Sequence, residues 1–173
     1  MMTIPVYIPS LGRADDRLLK SPAMQMPDKT EVYYVVPRSE LGSYAVALCN
    51  YGVRAHLLGC PDKGIAATRL WIGEHARRNG YKKFLMADDD IVFMIRKSPK
   101  DWALREAETW EVKVMLEWIE EKLDHHEHVA VSPREGNNRP GVGSSDTLFI
   151  ENTRTIRALS YQTDAFQIGR AHV

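Results

Sequence analysis

Lys83-Phe84-Leu85-Met86-Ala87-Asp88-Asp89-Asp90 is a short apolar run that ends in three consecutive carboxylates. Asn79-Gly80 and the basic pair Lys82-Lys83 bound it ahead. Its hydrophobicity is continuous rather than alternating, which is the pattern of a strand buried on both faces in a parallel sheet. In open α/β sheets ligands sit beyond the carboxyl ends of the strands. The three aspartates therefore stand where a ligand would be. Adjacent like charges repel, so water or a cation has to offset them. Oxygen-only donors favour a hard divalent ion, Mg²⁺ or Mn²⁺. A solvated acidic loop is the plainer reading, but a turn directly after a buried strand is the usual position for metal-held phosphate.

Upstream, residues 3–8 read as a first strand running into Pro9-Ser10-Leu11-Gly12-Arg13. That loop is either an ordinary strand-to-helix turn or a nucleotide-holding loop, with backbone N–H groups and Arg13 near phosphate or base. Asp15 and Asp16 suit the start of a short helix. Residues 31–36 read as a second strand closed by Pro37, and residues 53–58 as a third. Between them Ser39-Glu40-Leu41 starts a helix to about Asn50, with Gly52 as its stop. A loop over 59–64 leads to a helix over 64–79. Strand and helix thus alternate up to the aspartates, which predicts an α/β fold with a Rossmann-like, doubly wound, mostly parallel sheet. In the last helix Ile65, Ile72 and Ala76 share a face with Arg69. An arginine on such a stripe needs an anion, either a pyrophosphate, an aspartate or an ion-pair partner at the sheet edge.

Downstream, residues 91–95 are apolar and predict a short strand hairpinned onto the sheet edge, with a loop over 96–101. A long helix is expected from Leu104 to about Leu123. Trp110, Val114 and Trp118 form one stripe, Met115, Ile119 and Leu123 another, and the tryptophans read as core. His125 and His126 read as a helix C-terminus rather than a metal set, because neighbours on a helix end point apart. Strands are expected over 129–132 and 146–151, a long polar loop over 133–143, and a helix from Asn152 or Thr153 to about Leu159.

The chain has 173 residues, 44% hydrophobic and 27% charged, which suits one domain with a real core. Lys+Arg 23 balance Asp+Glu 23, so no global basic field points to nucleic acid, and a local patch remains open. Cys49 and Cys60 make neither a disulfide framework nor a zinc site by spacing. No signal-peptide pattern or membrane-length apolar run is present, so no membrane partner is expected, and the cytoplasm is the expected location. Residues 168–173, Ile-Gly-Arg-Ala-His-Val, match one reading frame of a common sequencing adapter and read as a non-native tail. On that reading the domain occupies residues 1–167 and its C-terminus is truncated.

Three stretches together resemble the GT-A glycosyltransferases of the family 2 type. Val6-Tyr7-Ile8-Pro9-Ser10-Leu11-Gly12-Arg13 is similar to their opening strand and loop, and Gly64-Ile65-Ala66-Ala67-Thr68-Arg69 to the helix start ahead of their acidic motif. Phe84 to Asp90 resembles their Asp-x-Asp motif at a strand end. The opening also resembles glycosyltransferase-like proteins of bacteriophages, some of which are linked to sugar decoration of hydroxymethylated DNA bases. The resemblance implies a single GT-A nucleotide-sugar-binding domain and a donor that is a nucleotide sugar, a UDP-sugar first. It implies that Asp90, with Asp88, holds Mn²⁺ or Mg²⁺, that Asp88 lies near ribose or base, and that Asp89 assists. Arg69 would stabilise the departing nucleoside diphosphate, and Pro9, Ser10, Arg13 and Gly64 would border the nucleotide. Arg134 and Arg139 would face the acceptor, with DNA as the candidate, in host cytoplasm if the source is viral.

One departure from the family is visible. The late acidic pair that supplies a catalytic base is missing after residue 151; Asp146, Glu151 and Asp164 are the carboxylates nearby, and His172 falls in the tail. Two other classes remain open: a nucleotidyltransferase, which the single glycine of the first loop disfavours, and a non-catalytic DNA- or partner-binding module on the same fold. A truncated domain exposes sheet edge, so self-association into a homo-oligomer is expected.

Overall fold

The computed structural model describes residues 4–98, 101–131 and 157–166. Its elements in chain order are β1 (Val6–Pro9), β2 (Val32–Pro37), α1 (Leu41–Asn50), β3 (His56–Cys60), α2 (Ile65–Arg78), β4 (Lys83–Ala87), β5 (Met94–Ser98), β6 (Asp101–Glu106), α3 (Thr109–Lys122), β7 (His128–Ala130) and β8 (Ala158–Gln162). Two short 3₁₀ turns, Asp16–Lys20 and Pro22–Gln25, fill the connection from β1 to β2. Six strands form one sheet in the order β3-β2-β1-β4-β8-β7. β3, β2, β1 and β4 are parallel, while β8 runs antiparallel to both β4 and β7. The fold is therefore the doubly wound, mostly parallel α/β sheet expected from the sequence. None of the described helices is long and apolar enough to cross a membrane.

Both faces of the sheet are covered, and this dictates the β4 sequence. Leu85 and Ala87 join the core with Val6, Ile8, Tyr34, Leu116 and Ile119. Phe84 and Met86 point the other way, into a core with Tyr7, Val35, Ile72 and Ala76. Alternate residues serve opposite cores, so no polar position is left between Phe84 and Ala87.

Several local expectations are corrected. The third strand begins at His56 rather than Val53, because residues 51–53 complete the end of α1. Gly52 adopts φ +64°, its N–H donates to Cys49 O at 3.2 Å, and the Val53 N–H donates to Leu48 O at 2.9 Å. This is a Schellman closure, with Val53 packed in the same core as Leu48. The loop and early helix expected over 96–108 are instead the β5–β6 hairpin, a separate two-stranded sheet rather than an extension of the main one. The Glu111 carboxylate fixes where α3 starts: it accepts the Glu108 N–H at 2.9 Å and pairs with Arg105 at 2.6 Å. The buried stripe of α3 is Val112, Leu116 and Ile119, while Trp110 is 65% exposed and Val114 is exposed too. At 158–159 the expected helix is replaced by β8, which pairs with β4. The strand and loop expected over 133–151 lie outside the described residues.

One side chain ties the hairpin to the core. Gln25 donates from Nε2 to Phe93 O at 3.0 Å and to Ala107 O at 3.1 Å, and its Oε1 accepts the Phe93 N–H at 2.8 Å. It thus satisfies three backbone groups at the hairpin neck. Gln25→Leu keeps the bulk and strands all three, so it is expected to lower stability by about 1–3 kcal/mol in urea unfolding. An unchanged midpoint would show that water replaces the amide there.

Candidate functional site

The chain turns from β1 to β2 on one side and reaches β4 on the other, so the topological switch lies between β1 and β4. Register pairs Val6 with Leu85 and Tyr7 with Met86, so the segments after Pro9 and after Ala87 emerge side by side. They open a cleft of about 610 Å³ at the carboxyl edge of the parallel strands. Pro9, Ser10, Arg13, Gly64, Arg69, Asp88, Asp89 and Asp90 all line it. The structure thus brings eight sequence-predicted residues together around one space. Arg134 and Arg139 lie outside the described residues.

The loop after β1 is held by a chain of hydrogen bonds. The Arg13 N–H donates to the Tyr44 hydroxyl at 3.0 Å, and the Tyr44 and Ser10 hydroxyls lie 2.6 Å apart. Ser10 Oγ donates to Asp89 Oδ2. Ser10 has one proton and spends it on the carboxylate, so Tyr44 must donate to Ser10. All donors point toward Asp89, and bonds in such a chain polarise one another. Gly12, at φ +66°, donates its N–H to Glu40 Oε2 at 2.8 Å. Neither Tyr44 nor Glu40, read only as part of a helix start, was expected at the site from the sequence. They sit four apart on the face of α1 and its preceding turn that meets the loop, and that pairing is set by tertiary packing alone.

Each aspartate is engaged differently. Asp88 Oδ1 meets Arg69 at 3.2 Å. Arg13 spans the other two, reaching Asp89 at 3.3 Å and Asp90 at 3.4 Å. Asp89 is the most enclosed, with its side chain 12% exposed, whereas that of Asp90 is 48% exposed. Burial raises the Asp88 and Asp89 carboxyls above the ordinary aspartate range, against the opposing pull of Arg69 on the first and of Ser10 and Arg13 on the second. Gly64 precedes α2 at φ +81°, a backbone that a side chain would strain. Across the cleft Ser39 Oγ donates to Asp62 Oδ1 at 3.1 Å.

Hard oxygen donors suit Mg²⁺ or Mn²⁺, and a cation offsets the cost that burial places on the charged Asp88 and Asp89 carboxylates. No three ligand-type side chains converge on a point among the described residues. Mg²⁺-type sites need only one or two carboxylates when phosphates and water complete the shell. The donor set fits such an ion, with Asp90 facing solvent and Asp88 beside it. Asp89, tied to Ser10 and Arg13, holds the loop. His75 packs on Trp71 and bonds the Tyr7 hydroxyl at 3.0 Å, away from the cleft. Asp164 follows the end of β8, and the Thr163 N–H donates to Lys82 O, so it lies at the opposite end of β4 from the aspartates. It is removed as a candidate base.

A sheet of this topology, with an acidic turn at its switch point, defines the GT-A class of nucleotide-sugar-transferase folds. The family model for TET-associated glycosyltransferases matches residues 4–165, and the chain belongs to that family. A putative nucleotide-diphospho-sugar transferase from Desulfovibrio desulfuricans G20 superposes with TM-score 0.55 at 10% identity, over 96% of this chain and 66% of that one, and shares the fold. A mannosyltransferase from Pyrobaculum calidifontis, solved with GDP-Man and Mn²⁺, aligns over 56% of this chain and 29% of its own at 18% identity and TM-score 0.39, too partial to define a fold. This chain spans less than two thirds of either. No curated protein sequence matches it.

The raised Asp89 carboxyl has a consequence for stability. A group whose pKa rises on folding contributes stability below its unfolded pKa and loses it as pH rises through the folded value. At neutral pH the buried Asp89 charge therefore weakens the metal-free fold. Asp89→Asn is expected to melt higher than wild type at pH 7, with the gap narrowing as pH falls through the raised aspartate range. Thermal melts of both proteins across that range check it, and a gap that is constant with pH would refute it.

Proposed function

We propose that the chain forms the donor-binding half of a metal-dependent glycosyltransferase. The observation that carries this reading is the acidic turn at the β1/β4 switch, with Arg13 and Arg69 in the same cleft. The cleft suits a nucleoside diphosphate: its prolines and Ile65 offer apolar surface to a flat base, and its arginines offer charge to phosphate. A divalent ion held by Asp90 and Asp88 would supply Lewis-acid stabilisation of charge on the departing diphosphate. Arg69 would add to that from α2, and Arg13 from the loop after β1. Ser10 and Tyr44 would keep the loop, and with it Arg13, in place. Pro9, Ser10 and Gly64 would border the nucleotide, for which UDP is the first candidate.

The acceptor that best fits is a hydroxymethylated pyrimidine in DNA. The family's association with TET and the resemblance of Pro9-Ser10-Leu11-Gly12-Arg13 to phage glycosyltransferases support it. The reaction would transfer the sugar from the donor's phosphate oxygen to the hydroxymethyl oxygen, whose proton passes to a base supplied outside the described residues.

Calorimetric titration with UDP, then other nucleoside diphosphates, with and without Mn²⁺, tests the donor assignment. Binding is expected to require the metal, and Asp90→Ala is expected to weaken it by at least about tenfold, the lower end of what loss of even an outer-shell partner costs a metal site. Absence of binding to every nucleoside diphosphate by a folded protein would sink the assignment.

A further inference from the structure

Arg157 is the only non-glycine among the described residues with a positive φ, +81°. It stands one residue before β8, and Ala158 pairs with Ala87, so it lies beside Asp88 at the carboxyl end of β4. Its carbonyl accepts the Asp88 N–H at 2.7 Å. That bond gives a reason for the backbone to be held in a conformation that crowds a side chain. Glycine would make the same bond without the crowding. The backbone therefore explains the conformation and leaves the choice of arginine to be explained by its side chain.

That side chain is exposed and makes no hydrogen bond or ion pair among the described residues. Its charge acts on the Asp88 carboxylate, which already holds Arg69 at 3.2 Å. Arg13 and Arg69 line the donor cleft; Arg157 does not. It approaches the acidic turn from the β8 side of the sheet, across β4 from β1. A polyanion arriving on that side meets three carboxylates, and the chain as a whole has no net positive charge to draw it in. A cation at that place is what such an approach needs.

We propose that Arg157 binds a backbone phosphate of the nucleic-acid acceptor beside the acidic turn, outside the donor cleft. The planar guanidinium matches phosphate geometry, and a contact of this kind fixes register without reading sequence. The proposal rests on the DNA-acceptor reading given above. Phosphate also occurs in the donor, so the test has an arm for each source.

The full chain is compared as wild type, Arg157→Gly and Arg157→Lys. Glycine suits the positive φ, so Arg157→Gly is expected to melt no lower than wild type, which separates lost binding from lost folding. Binding to a duplex carrying 5-hydroxymethylcytosine is measured against salt concentration. Each phosphate contact adds about 0.9 to the slope of log affinity against log salt, so Arg157→Gly is expected to lower the slope by about one. Arg157→Lys is expected to keep most of it, and calorimetry with Mn²⁺ and UDP or GDP, whichever binds wild type, is expected to show binding no weaker in either variant. A wild-type slope in Arg157→Gly would overturn the proposal alone. Loss of nucleoside diphosphate binding in that variant would also overturn it, by assigning the guanidinium to the donor. Wild-type protein that binds the nucleoside diphosphate but no duplex would overturn the DNA-acceptor reading and this proposal with it.

Discussion

Three carboxylates follow directly on a strand whose last residue, Ala87, is fully buried. Unit charges about 4 Å apart interact by about 4 kcal/mol at an effective dielectric near 20, so a turn of this kind cannot hold itself together. The surrounding structure supplies what it lacks. Ser10 and Arg13 come from the loop after β1, Arg69 from α2, and the carbonyl that takes the Asp88 N–H from the start of β8. Each of these elements is placed by the sheet order, and none is near another in sequence. The acidic turn is thus the point at which the doubly wound topology closes on itself.

The arginine contacts among these are longer than the ion pair that anchors α3. Arg13 and Arg69 reach the carboxylates at 3.2–3.4 Å, longer than the 2.6–2.7 Å of the Arg105–Glu111 pair that anchors α3. The structural pair is short and bidentate; the cleft pairs are long, and Arg13 is split between two carboxylates. On the proposed function, each cleft arginine gives up a carboxylate for a phosphate while the carboxylate takes a metal. Each opposite-charge contact given up in that exchange is replaced, so neither partner is left as an unpaired charge. Asp89 is the exception, because its hydrogen-bond chain through Ser10 and Tyr44 leaves it structural.

How much of this was legible in the sequence follows from how local each signal is. β4 was readable because burial on both faces forces an unbroken apolar run, and Asp88–Asp90 because a strand end fixes where they stand. Arg69 was readable from helix spacing, and Gly64 only through the resemblance of the helix start. The β5–β6 hairpin was not, since its strands carry Arg96, Lys97 and Arg105 and are held by Gln25, nearly seventy residues from Phe93. In α3 two stripes of apolar residues run side by side, and only contact with the sheet decides that Val112 and Leu116 go in while Trp110 stays out. Tyr44 supports the loop after β1 from 31 residues away and left no local trace.

The placement of β8 divides the site. Had β8 run parallel to β4, its end would deliver the following turn to the aspartates, and Asp164 would stand among them. It runs antiparallel, so its beginning does, and the residue delivered is Arg157. β7 runs antiparallel to β8, which puts Ala130 opposite Leu159 at that same edge, and the Val131 N–H donates to Ala158 O at 3.1 Å. The chain therefore leaves β7 and enters β8 beside the acidic turn. The cleft is lined entirely by residues 9–90, all on the β1 side or at the turn itself. What the β7–β8 edge adds is a cation outside that cleft, one strand further along the sheet. A transferase needs two substrates brought to one point without sharing a pocket, and the acidic turn is the element that both halves of this sheet reach.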